Sequence, residues 1–150
     1  MKTLKKYLKY IFTCFFVSLF MMSCSVEKYE SMYNDDNKII HGVASYSQIM
    51  ASNTKKQTNS SISLISECKK MSGVNKCFSI NVTSNSKANI DFTVYDGKMK
   101  IVLVDSNNLY LITEGSYSGT YYFSNIPFGT YKFTLVGVEA QYYLNFNYTY

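Results

Sequence analysis

Alternation of apolar and polar side chains dominates the chain from Cys77 onward. Phe78, Ile80 and Val82 alternate with Ser79, Asn81 and Thr83, and Ile90, Phe92 and Val94 alternate with Asp91, Thr93 and Tyr95. Lys98 to Val104 carries Met99, Ile101 and Leu103 on one face. A period of two predicts strands with one buried side. Asp96-Gly97, between the second and third runs, predicts a tight hairpin, because both central residues tolerate positive φ. Asp105 to Asn108 predicts the next turn, followed by strands at 109–113, 120–123, 130–136 and 142–148. The last sets Leu144, Phe146 and Tyr148 against Asn145, Asn147 and Thr149. About seven short strands, each able to bury one side, predict an all-β domain: a single antiparallel Greek-key β-sandwich, with a small barrel as the alternative.

The pattern weakens towards the amino terminus. Ser61 to Lys70 fits alternation through Ile62, Leu64 and Cys68, and helical spacing through Ile65, Cys68 and Met71, so its state stays open. Residues 51–61, rich in Asn, Thr, Lys and Ser, predict a loop, and Ile39 to Ala44 predicts a short strand. Residues 24–38 are polar and unpatterned, with Glu27, Lys28, Glu30, Asp35 and Asp36, and predict a flexible tether to a domain spanning 39–150.

The first residues have a different character. Lys2, Lys5, Lys6 and Lys9 precede an uncharged run from Tyr10 to Met22, which ends at Met21-Met22-Ser23-Cys24. This is the secretory pattern, and the run falls short of the ~20 apolar residues of a membrane span. Its end resembles the lipobox of bacterial lipoproteins, which places a small residue before an invariant cysteine. Ser23 and Cys24 match, while Met21 stands where Leu is usual. The resemblance implies removal of residues 1–23 and alkylation of the Cys24 thiol by diacylglycerol. The expected location is the cell envelope, anchored to a bacterial membrane, the outer before the inner, facing the periplasm or the exterior.

Charge and cysteine usage follow from that reading. Of the +5 formal charge of the chain, four lysines belong to the leader; the remainder holds eleven lysines and ten acids. There is no basic face and no arginine, which argues against nucleic acid as a partner. In an oxidising compartment Cys68 and Cys77 form an even pair, expected as a disulfide worth about 2.5–3 kcal/mol by loop closure.

The stretch Tyr121-Tyr122-Phe123-Ser124-Asn125-Ile126-Pro127-Phe128-Gly129-Thr130-Tyr131 resembles the strand, Leu-Pro-Pro-Gly-Thr-Tyr, strand signature of prealbumin-like sandwich repeats, namely carboxypeptidase regulatory-like and collagen-adhesin B-type domains. Phe128 replaces the second Pro. The resemblance implies a sandwich in which Tyr131 buries its ring at a strand start, and such modules are commonly stalks, spacers or adhesive units.

Catalytic chemistry has little support. His41 is the sole histidine, no Gly-x-Ser-x-Gly elbow occurs, and the acids are scattered, several at turns. Neither a metal site nor a cofactor is expected, because two cysteines and one histidine do not complete a tetrahedral zinc site. The conspicuous feature is 15 tyrosines. Tyr122 and Tyr142 are the candidates for an exposed amphipathic platform that would meet a protein or glycan partner. The expectation is a membrane-anchored, non-enzymatic binding, adhesive or structural module, with glycan binding as the alternative and a small hydrolase last.

Overall fold

A computed structural model of the chain describes residues 26–150. Residues 26–33 form helix α1, and Asp36–His41 form α2. Seven strands follow: β1 (Ser45–Ile49), β2 (Ser52–Gln57), β3 (Ser61–Val82), β4 (Lys87–Val104), β5 (Leu109–Glu114), β6 (Tyr117–Tyr122) and β7 (Gly129–Thr149). All pairings are antiparallel. The all-β class agrees with the alternation, as does the number of strands though not their bounds, and Ser61–Lys70 is strand.

The partition differs from the expected one. Strands β3, β4 and β7 are 22, 18 and 21 residues long, and each joins segments that read as separate in the sequence. β7 lies between β3 and β4, β1 and β2 share the outer edge of β3, and β5 and β6 share the outer edge of β4. Five ribbons therefore run side by side: β1–β2, β3, β7, β4 and β5–β6. Each bends once at a common level, and each places a left-handed residue there: Met50 (φ 52°), Gly73 (106°), Glu139 (52°), Gly97 (73°) and Gly115 (76°). The register shifts of β3, β7 and β4 fall at this line, between Cys68 and Gly73 and between Val94 and Lys98. An extra residue at a bulge kinks the strand and swaps its faces. In β4 the inward residues change from Ala88, Ile90 and Phe92 to Met99, Ile101 and Leu103. Asp96-Gly97 is thus a bulge inside one continuous strand, not the expected hairpin. Gly97 meets the same demand for positive φ in a hairpin and in a bulge; what differs is the strand pairing, which local sequence does not encode. A Cβ at Gly97 would stand 2.5 Å from the Val138 carbonyl oxygen, so the position admits only glycine without rearrangement.

Bending folds the sheet onto itself and makes a two-layered sandwich. One layer holds β1, β5, the later halves of β3 and β4 and the first half of β7; the other holds β2, β6 and the remaining halves. Aromatic rings meet across the interior: Phe146 lies 4.3 Å from Phe133 and 6.2 Å from Phe78, centroid to centroid. The Tyr148 hydroxyl donates to the Asn81 carbonyl at 2.7 Å, tying the open ends of the two layers. At the Pro127 corner, Tyr131 buries its ring and donates to the Pro127 carbonyl at 2.7 Å.

The expected tether is a structured element. Residues 26–38 are largely helical, and Tyr33 and Ile39 are buried against Val74, Val102, Val104, Val136 and Val138 on the outer side of the first layer. Asp35 caps α2 by accepting from the Lys38 amide at 3.2 Å. The Tyr33 hydroxyl donates to Glu114 at 2.8 Å, and Lys100 lies 4.9 Å over the Tyr33 ring. Burial, then the Glu114 hydrogen bond, holds the Tyr33 phenol well above its ordinary pKa. The charges of this segment hid its apolar positions: Val26, Tyr29, Met32 and Tyr33 are spaced for one face of α1, and Ile39 is the buried position of α2. The strand expected at Ile39–Ala44 is likewise replaced by the end of α2, and the expected loop at 51–61 contains β2.

Candidate functional site

The two outer faces of the sandwich differ in kind. Helices cover the first. The second, on the layer of β2, β6 and the halves of β3, β4 and β7 beyond the bend, is open and built of hydroxyls and amides. It follows directly from the alternation: each residue between the inward-facing Ile90, Phe92, Leu144 and Phe146 points outward. Strand register then aligns these residues into rows. Ser63, Asn147, Asn89 and Thr120 are consecutive cross-strand partners, and Ile65, Asn145, Asp91 and Ser118 form the next row.

A shallow depression of 320 Å³ lies on this face, lined by Asn89, Asp91, Ser118, Gly119, Thr120, Asn145 and Asn147, with Ile90 below. The Thr120 hydroxyl donates to Asn89 Oδ1 at 2.8 Å, and Asn147 Nδ2 donates to Asn145 Oδ1 at 2.9 Å. These bonds fix the amide orientations. They leave the Asn89 and Asn145 Nδ2 groups as donors and Asn147 Oδ1 as an acceptor, beside the Asp91 carboxylate. The arrangement offers paired donors and acceptors on a rigid sheet. Asp91 is the sole carboxylate lining it, so it lacks the second carboxyl that acid–base hydrolysis of a glycosidic bond uses.

The sequence-predicted residues fall elsewhere. Tyr122 is exposed, at 66% of its surface, but Tyr142 is 1% exposed and belongs to the core. The Tyr122/Tyr142 platform is therefore not formed. Tyr142 shares parity with Leu144, Phe146 and Tyr148, which the alternation already assigned to the interior. Its hydroxyl pairs with Ser66 Oγ at 2.8 Å, and Ser66 donates onward to Asn53 Oδ1. Burial pushes the Tyr142 phenol up to about 12, partly opposed by the Ser66 hydrogen bond.

Cys68 and Cys77 are free thiols, so the expected bridge is not made. Both lie on β3, on opposite sides of its bend. The Cys68 thiol points to the Ile49 and Lys70 carbonyls and that of Cys77 to the Asn75 carbonyl. Burial pushes the Cys77 thiol up to about 12. Cys24 lies outside the described residues. His41 ends α2 in an exposed position.

Asn89, Asp91, Thr120, Asn145 and Asn147 were visible in the sequence only as the polar partners of alternation. No motif marked them, because what gathers them is the pairing of β4, β6 and β7.

No family model matches the chain, and no curated protein matches it. Among solved structures, it is similar to the cupin domain of Schizosaccharomyces pombe Cnp3, at 15% identity over 68% of this chain and 66% of that one, with a TM-score of 0.35. It is similar to hydroxypropylphosphonic acid epoxidase from S. wedmorenis at 8% identity, over 77% of this chain and 61% of that one, with a TM-score of 0.36. A third is an RmlC-like cupin family protein with a double-stranded β-helix fold from Methanocaldococcus jannaschii, at 14% identity, 71% and 89% coverage and a TM-score of 0.29. The chain thus spans about two thirds or less of the first two. These likenesses concern β architecture and say nothing of activity.

Proposed function

We propose that the chain is an exported lipoprotein, held to a bacterial envelope membrane through Cys24, whose sandwich is a non-enzymatic binding module for a polyhydroxylated ligand of the glycan class. The observation that carries the ligand reading is the uncovered polar face. Two rows of amide, hydroxyl and carboxylate groups cross β7, β4 and β6 in fixed register, one of them continuing to Ser63 on β3 and the other ending at Ile65, while the opposite face is covered by helices. Adjacent sugar hydroxyls donate and accept in pairs, and Asn and Asp side chains set on a rigid sheet answer them with little ordering cost. The anchor reading rests on the lysine-rich start, the short uncharged run and the Ser23-Cys24 junction.

Two experiments test this. Mass spectrometry of membrane-extracted protein should find a chain beginning at an acylated Cys24; protein beginning at an unmodified Met1 refutes the anchor. A chain beginning at residue 25, applied to a panel of bacterial and host polysaccharides, should retain at least one of them. The Asp91→Ala/Asn145→Ala double variant should lose that retention while keeping its unfolding midpoint. Undiminished retention by the double variant removes this face from the binding site.

A further inference from the structure

The helices also fix the orientation of the molecule. Their contacts progress along β4 in order. Glu30 pairs with Lys98 at 3.0 Å, next to the bend; Tyr33 meets Lys100; and Ile40 lies with Val104 and Asp105 at the far end. α1 therefore enters at the bend and α2 leaves towards the Asp105 turn. From Glu30 back to residue 26 is about 6 Å of helix, continuing past the bend. Two further residues reach Cys24 and span at most about 7 Å in any conformation. The cysteine is thus confined to the bent end of the sandwich.

That same end exposes apolar side chains. Ile49, Met50 and Tyr95 are 55%, 69% and 63% exposed, and Met50 and Tyr95 line one 220 Å³ depression with Tyr143 and Lys69. Met50 owes its position to the left-handed turn that bends the β1–β2 ribbon. The charges around them nearly balance: Lys70 pairs with Glu139 at 2.6 Å and Lys98 with Glu30, while Lys69 and Glu67 both line the depression.

Resting on the Cys24 anchor reading, we propose that the bent end of the sandwich, through Ile49, Met50 and Tyr95, seats in the lipid interface beside the acyl anchor. The occupant of this patch is the membrane surface itself. The lipid chains bring the bilayer to within two residues of a helix that is packed on the domain, so the domain cannot swing freely as it would on a flexible tether. Tyrosine and methionine suit the boundary between headgroups and acyl chains, and the paired lysines leave little net charge, so the contact is apolar in origin. The sandwich then stands on its bend with the open ends of both layers directed away. Tyr122, opposite Lys87, lies about 23 Å further along β4 than Val94.

The chain contains no tryptophan, so a single introduced indole reports its own surroundings. Full-length Tyr95→Trp and Tyr122→Trp proteins, extracted from membranes with the native anchor, are reconstituted into phosphatidylcholine vesicles with brominated acyl chains. The Tyr95→Trp emission should shift to shorter wavelength and be mostly lost to quenching, with little change as salt is raised. Tyr122→Trp should keep its aqueous emission. Protein that floats with the vesicles while both indoles remain equally unquenched overturns the seated orientation and leaves the anchor intact. Quenching abolished by salt overturns the apolar basis. Protein that does not float with the vesicles refutes the anchor, and the orientation with it. Ile49→Trp provides a second probe at the same end should Tyr95→Trp fold poorly.

Discussion

Replacing Ile39 by alanine distinguishes a packed helical cover from a tether. Ile39 is 0% exposed, seated among Val74, Val102, Val104, Val136 and Val138. Three carbons are removed, at about 0.8 kcal/mol each, giving about 2.4 kcal/mol of lost transfer free energy. The unfilled space raises the expected cost to about 3–4 kcal/mol. Part of that can be recovered if α2 shifts inward, but Asp35 at its amino end and Lys76, whose ammonium donates to the Ile40 and Gly42 carbonyls at 2.9 and 3.0 Å, hold both of its ends. The assay is urea unfolding of a chain beginning at residue 25, followed by far-ultraviolet circular dichroism. With a slope of about 1–3 kcal/mol per molar urea, the midpoint should fall by more than about 1 M at unchanged slope. Asn37→Ala, exposed on the same helix, should move it by no more than about 0.5 kcal/mol. An Ile39→Ala midpoint within that same margin would show that residues 26–41 do not belong to the folded unit, and the confinement of Cys24 to one end would go with it.

Other expectations follow from the core and the fold line. Gly97→Val forces a branched side chain into a left-handed conformation against the Val138 carbonyl and should cost at least about 3 kcal/mol, read as a fall in thermal midpoint. Tyr142→Phe removes the hydrogen bond to Ser66, which keeps its bond to Asn53, and should cost about 0.5–1.5 kcal/mol in the same measurement. The raised phenol of Tyr142 stabilises the fold fully below pH 10, the unfolded value, and that contribution of about 2–3 kcal/mol is lost as pH rises through about 12, in addition to the losses from the raised Tyr33 and Cys77. Tyr142→Phe should flatten that part of a stability-versus-pH curve, and an unchanged slope would show that the phenol is not buried. Cys77, with its thiol pushed up to about 12, should react slowly with a maleimide at pH 8 in the native protein and quickly in urea; rapid native labelling would contradict its burial.

The sequence displayed the strand faces well, because alternation is a direct record of which side is buried. Phe78, Ile80 and Val82, or Leu144, Phe146 and Tyr148, needed nothing else. It did not display where one strand stops and another begins. A glycine in the left-handed region looks alike in a hairpin and in a bulge, so Asp96-Gly97 was compatible with both, and only the pairing of β4 with β7 on both sides of it decides. The helical cover was obscured by its own surface: four apolar residues of α1 and Ile39 of α2 are diluted by charges, in two helices too short for a clear period. Tyr142 shows the opposite case. Its parity with Leu144, Phe146 and Tyr148 assigned it to the interior although it was expected on an exposed platform, and Ser66 supplies the buried partner its hydroxyl needs. The polar rows of the open face are a tertiary property, since Asn89, Thr120 and Asn147 become neighbours only through the sheet.

The placement of β7 bears on the order of events at the ribosome. It is the middle ribbon of both layers, and it is made after the six strands it organises. A nascent chain as far as residue 128 has β3 and β4 with no strand to join them, so neither layer can close while synthesis proceeds. The two long ribbons on either side of β7 therefore acquire their shared partner only once residues 129–149 have been made.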